Sequence, residues 1–245
     1  MSTSESSTQV GAQHNAAQDR RRRQTKRWFV AASLIRARMG QTRLSRVGSA
    51  LAMGVAVSIV VFAIFLRASD GASAPLDGLL EMGAGLIACV AAFPTTLAAA
   101  TDRRTLDREA GIEALVTMRG VHVAQLELVR VYAAMMLIAR ATAIPLLTIA
   151  LVITALASNG AIVLGRLGVA LGLVMFAAMV GVVLGSVATF SARVGGRRGK
   201  LLASAIVFLP WILGEAFGRG IYSIPGALDA ALSLIIEVAY QGAGA

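Results

Sequence analysis

Three stretches of this chain, Val47 to Leu66, Leu79 to Ala100 and Gly168 to Phe190, run without an internal basic residue and are almost wholly apolar. Crossing ~30 Å of hydrocarbon at 1.5 Å per helical residue takes about 20 such residues. Each stretch is therefore long enough to span a bilayer. Ala141 to Ala157 forms a fourth after a charged approach, and Leu201 to Gly218, with Pro210 midway and Glu215 near its far end, a fifth. Hydrophobic residues make up 57% of the chain and mean hydropathy is +0.74, well above a soluble domain. A membrane β-barrel would instead show short segments of alternating polarity. The reading is all-α: a polytopic helical transmembrane bundle with five firm spans and a C-terminal amphipathic or sixth membrane helix. Almost the whole chain is membrane domain, with no segment large enough for a separate soluble enzyme.

The formal net charge of +10 reports topology before it reports a polyanion partner, because the basic residues sit at span ends. Ten Lys and Arg precede the first span, five fall between Arg103 and Arg130, and four between Arg193 and Lys200. The alternate loops hold only Arg67, Arg166 and Arg219, so nineteen stand against three. This bias predicts a multi-pass protein of the cell (inner, cytoplasmic) membrane with a cytoplasmic N-terminus, whose partners include the lipid bilayer and no nucleic acid.

Residues 1–24 read as a disordered tail ending in basic residues, since 1–19 are rich in Ser, Gln and Ala. No short apolar core with a cleavage site follows, so the tail is not a secretory signal. From 25 to 46 the chain reads as an interfacial amphipathic helix: Trp28, Ala32, Ile35 and Met39 share one face, Arg36 and Arg43 another. The transmembrane domain occupies 47–245. Its predicted outer loops, RASDGASAPLDG and SNG, are short and turn-like, which leaves the membrane and the cytoplasmic face as places of work.

Arg140 is the charge that fits no loop. It is either a pathway-facing cation or an interface charge, and the 17 apolar residues from Ala141 to Ala157 favour a guanidinium that snorkels to the cytoplasmic surface. Pro145 then stands where the helix could kink. Near the C-terminus, Asp229, Ser233, Glu237 and Gln241 recur every four residues as a polar stripe beside Leu228, Leu232, Ile235 and Ala239. That pattern fits a sixth helix packing its polar stripe inward, or an amphipathic helix on the outer surface.

Several chemistries lack their residues. His14 and His122 are the only histidines and Cys89 the only cysteine, so no zinc or di-iron cluster is expected and no intrachain disulfide can form. Ser186 follows a glycine, but no His or Lys lies in a firm span to act as its base. The loop VGGRRGKLL fails as a phosphate-binding loop twice. Val194 replaces the first glycine and Leu201 the hydroxyl that would hold Mg2+. The chain thus carries no ATPase motif, no catalytic residues, no metal site and no cofactor of its own.

The remaining feature is DREAGIEALVTMRG, Asp107 to Gly120, which the charge count places in the cytoplasm between the second and third spans. Asp107 and Glu109 suit a helix start, Arg119 its end, and Gly120 a stop. A helix of about three turns results, 107–119, with Ile112, Leu115 and Val116 on its apolar side and Glu109 and Glu113 on its charged side. This stretch resembles the cytoplasmic loop of ABC-2-type permeases, the membrane subunits of one class of ATP-driven exporters. Arg108, Glu109, Gly111, Glu113 and Leu115 match that loop in order and spacing, and Thr117 lies close to its turn. Arg119 stands about where those permeases have a proline. Together with the basic N-terminal helix, short outer loops and span order, the resemblance covers roughly 25–220 and departs most at the C-terminus.

The resemblance implies a permease that moves an unidentified substrate while a separate ABC subunit holds and hydrolyses ATP with Mg. It also implies pairing as a homodimer or as a heterodimer with another permease. The coupling helix would consist of Asp107, Arg108, Glu109, Gly111, Ile112, Glu113, Leu115, Val116 and Arg119, its apolar face docking in the ATPase and its charged rim setting partner choice. The competing reading is a non-transporting membrane scaffold or assembly protein. An ion-coupled carrier ranks below both, since Glu81 and Glu215 sit near span ends and no internal repeat stands out.

Overall fold

A computed structural model describes residues 25–70, 76–101, 111–118, 120, 122–156, 160–216 and 223–242; the predicted tail 1–24 lies outside them. These residues are 93% helical, and no strand occurs among them. Helix α1 covers 25–40, α2 Arg43–Asp70, α3 Leu76–Leu86, α4 Ala92–Ala99 and α5 Ile112–Met118. There follow α6 at Val123–Ala155, α7 at Gly160–Ala192, α8 at Gly196–Ala216 and α9 at Ile224–Gly242.

The predicted 25–46 helix divides in two. After Gly40 the chain turns, and the Thr42 hydroxyl accepts the Ser45 N–H at 3.1 Å as the N-cap of α2. Residues 43–46 therefore form the first turn of the first membrane helix. Between α3 and α4 the helix continues as a π turn, Ile87–Ala91, in which the Ala92 N–H donates to the Ile87 carbonyl. Pro94 supplies the cause. Lacking an N–H, it cannot pair with the Val90 carbonyl and its ring crowds it, so the preceding turn widens. Pro145 is accommodated differently: α6 stays one 33-residue helix through it.

Among the described residues, four helical runs are long and apolar enough to cross a membrane: Arg43–Ser69, Gly78–Ala99, Gln125–Ala155 and Leu167–Ala192. Of the five firm spans expected, α8 is not among these. Arg197, Arg198 and Lys200 occupy its start, and only residues 201–214 separate Lys200 from Glu215, roughly 21 Å of helix. Helix α9 docks on the bundle by its apolar stripe, burying Leu228 and Leu232. Its polar stripe runs along the border, where the Ser233 hydroxyl donates to Glu81 Oε1 of α3 at 2.8 Å.

Small residues hold the bundle together. Ala52, Ala56, Ile59 and Ala63 carry α2 onto the core, which Ala84, Ala88, Ala91 and Ala92 continue on the second membrane helix. The most extensive pairing is α6 with α7. Its seam is the Gly181-x-x-x-Gly185 pair, where a Cβ would come within 2.7 Å of Ala139 Cβ and 2.8 Å of Met135 Cγ. Lipid tails are as apolar as leucine, so such close backbone approach is what favours helix association over lipid contact. Hydroxyls within the helices turn back on their own backbone, as in Thr142 to the Ile138 carbonyl at 3.0 Å and Thr154 to that of Ala150 at 2.7 Å.

Gly185→Ala is expected to destabilise the protein by about 1–3 kcal/mol, because the Met135 backbone must move. A thermal unfolding scan in detergent would show the lower midpoint. Gly54→Ala, whose added methyl would have nothing within 4 Å, should leave the midpoint unchanged or slightly raised.

Candidate functional site

The feature singled out by sequence lies where α1, α5 and the first three turns of α6 meet. Helix α5 is bounded by two glycines with left-handed backbone, Gly111 at φ +68° and Gly120 at φ +80°. Such a φ interrupts a right-handed helix, so this one starts at Ile112, with the Leu115 N–H donating to the Gly111 carbonyl at 2.9 Å. Within the described part of the expected 107–119 helix, α5 is seven residues long, and Gly111 is the turn before it rather than part of its run. Asp107, Arg108, Glu109 and Arg119 lie outside the described residues, as do the side chains of Ile112 and Glu113.

The predicted apolar face is split between two directions. Val116 is 1% exposed and belongs to one buried cluster with Ala31, Ala32 and Ile35 of α1 and Leu126, Val129 and Ala133 of α6. Leu115 is 48% exposed and Met118 82%, one helical turn apart on the outward side. Met118 falls outside the apolar arc predicted from sequence, although its i+3 spacing from Leu115 marks it as a partner on that side. The interfacial face of α1 is likewise turned inward. Trp28 packs against Tyr132 of α6 with its ring tilted, at 4.8 Å between ring centroids, and Phe29 meets the same ring edge-on at 6.0 Å. Arg27 lies against Gly120, so α1 touches both the body of α5 and its exit.

Arg140 is exposed and shares a cavity of about 360 Å3 with Arg36 of α1 and with Ser45 and Ser49 of α2. It is thus level with the first turns of the first membrane helix, to which Ser45 and Ser49 belong. Seventeen residues of α6, 123–139, precede it, about 25 Å of helix.

A larger cavity, about 600 Å3, opens between α3 with its π turn, α8 and α9. Leu86, Cys89, Phe208 and Trp211 line it, with Asp229 as its one carboxylate among the described residues. Phe208 is braced edge-on by Phe93 at 4.5 Å. Elsewhere, Ser186 donates to the Val182 carbonyl at 2.7 Å, the ordinary behaviour of a helical serine. In the VGGRRGKLL loop Gly195 and Gly196 make the left-handed turn into α8, while a Cβ on Gly199 would meet the Ser191 and Ala100 carbonyls. Gly195 and Gly196 thus serve the turn, and Gly199 the packing of α8 on its neighbours.

Val116→Asp is expected to dislodge α5, since a buried unpaired carboxylate costs several kcal/mol. Limited proteolysis would then cut near 111–120 much faster than in the wild type. Met118→Asp, at an exposed position, should leave the cleavage rate unchanged. Compared with protein-family models, with curated proteins and with solved structures, the chain matches none.

Proposed function

We propose that this chain is the membrane-spanning subunit of an ATP-driven exporter of the ABC-2 permease type, paired with a separate ATPase subunit that holds ATP and Mg2+. Its basic loops, α1 and α5 then face the cytoplasm, as the nineteen-to-three charge bias suggests. In this reading α8 serves as a fifth crossing and α9 as a C-terminal membrane helix beside it. The observation that carries the proposal is the two-sided placement of α5. Leu115 and Met118 point away from the protein, while Val116 is locked to α1 and to the base of α6.

A helix held this way can receive a push on one side and pass it on at the other. Because α6 is continuous from Val123 to Ala155, displacement of its base tilts an element about 50 Å long. Leu115 and Met118 are the docking contacts, and the charges that the chain carries at Arg108, Glu109 and Glu113 would select the ATPase. The exposed side of α2, including Val57, Val61 and Phe65, leaves an apolar strip for lipid or for a second permease subunit. The cavity at Phe208, Trp211 and Asp229 gives a substrate a lateral way into the bundle.

Purification of the tagged chain from its own membranes in mild detergent tests this reading. An ATPase subunit is expected to accompany the wild type and to be lost with Leu115→Asp plus Met118→Asp. Removing two central apolar contacts should weaken binding by about 2 kcal/mol or more, roughly 30-fold. If the folded wild-type protein brings down no ATPase, the exporter reading gives way to a membrane scaffold.

A further inference from the structure

The cavity between α1, α2 and α6 has two chemically distinct ends. At one end lie the guanidinium-bearing Arg36 and Arg140 with the hydroxyl residues Ser45 and Ser49; at the other, Met53 and Ile144. No carboxylate lines it among the described residues. Among those residues neither arginine has an ion-pair or hydrogen-bond partner. Two guanidinium groups from separate helices beside an apolar wall would repel each other without an anion between them. Guanidinium is also the side chain best matched to a phosphate, through parallel N–H donors.

The geometry points to a binding site for one anionic phospholipid, its phosphate held by Arg36 and Arg140 and its remaining headgroup oxygens by Ser45 and Ser49. Two features select a lipid over a soluble phosphate. The volume of about 360 Å3 is at the low end for small-molecule sites, enough for a headgroup and glycerol but not for acyl chains. Those chains have an apolar path ready, past Met53 and Ile144 onto the exposed side of α2, where Val57 is 54% and Val61 61% exposed. The cavity also lies at the level of Arg43 and Arg46, the depth at which a phosphate layer meets the start of a membrane helix. Basic pockets between membrane helices on the positively charged side are where anionic headgroups are found.

The bound lipid joins α1 to α2 and α6 from the membrane side, as the Trp28–Tyr132 contact does from the other end of α1. This inference rests on membrane insertion and not on the exporter reading, so either can fail without the other.

The test is native mass spectrometry of the full chain, delipidated and then titrated with phosphatidylglycerol or phosphatidylcholine in detergent. One phosphatidylglycerol is expected to bind the wild type at least tenfold more tightly than phosphatidylcholine. Arg36→Gln plus Arg140→Gln should remove that preference, while Arg43→Gln plus Arg46→Gln, which changes charge equally outside the cavity, should keep it. Inorganic phosphate or glycerol phosphate at millimolar concentration should not displace the lipid. Equal retention of both lipids by the wild type, or an unchanged preference in the Arg36/Arg140 variant, overturns the site. Displacement by inorganic phosphate overturns the lipid and leaves a soluble-anion site. If the double variant does not fold, Ser49→Trp decides, because it fills the cavity with both arginines intact and must also abolish the preference.

Discussion

In hydrocarbon the helices gain nothing by hiding apolar surface from one another, since the lipid is equally apolar, so what associates them is closeness of approach. The seam between α6 and α7 meets that condition most completely. Gly181 and Gly185 bring the backbone of α7 against Met135 and Ala139 with no room for a methyl group. The other placements lean on this pair. Helix α2 packs its alanine stripe beside it, the second membrane helix inserts Ala84 to Ala92, and α9 lays Ile235 over Gly172. Because α6 also runs unbroken for 33 residues, its base becomes a fixed platform on which α1 and α5 can be built.

That platform explains how a short, half-polar loop becomes a defined feature. Seven residues cannot form a stable helix alone, as nucleation costs more than two turns of hydrogen bonds return. Helix α5 is held by one buried valine and two left-handed glycines, with α1 closing over it through Trp28 and Arg27. The same clamp leaves Leu115 and Met118 outside. Under the proposed exporter function, that exposed apolar pair is where the ATPase subunit would dock. Arg140 belongs to the same region. Together with Arg36 it lines one recess at the junction of α1, α2 and α6, where two positive charges gather.

The sequence and the fold agree closely where a single helix is concerned and diverge where two helices meet. The apolar runs at Val47, Leu79 and Gly168 locate three membrane helices, because burial in lipid demands a minimum length that can be counted along the chain. The same count leaves α8 outside the four runs long and apolar enough to cross, because its three basic residues stand within the helix rather than ahead of it. The apolar arc Ile112, Leu115, Val116 is visible as periodicity, yet periodicity cannot tell which part of the arc turns inward. Only the presence of Leu126 and Val129 beside Val116 separates it from Leu115. Likewise Gly111 reads as an ordinary weak helix residue until its φ of +68° shows that the chain uses it to start α5.

Composition and patterning by themselves determined that this chain is a helical bundle of membrane length, with its basic residues gathered on one side and a short amphipathic stretch among them. These are local properties: hydropathy, charge and helical period each depend on residues a few positions apart. The tertiary structure alone decided the rest. It set the partner of each face, the close approach of Gly181 and Gly185 to α6, the outward pair Leu115 and Met118, and the cavity that Arg36 and Arg140 share across about a hundred residues of chain. Such juxtapositions depend on how closely backbones can approach, which is a property of pairs of helices that no single stretch of sequence contains.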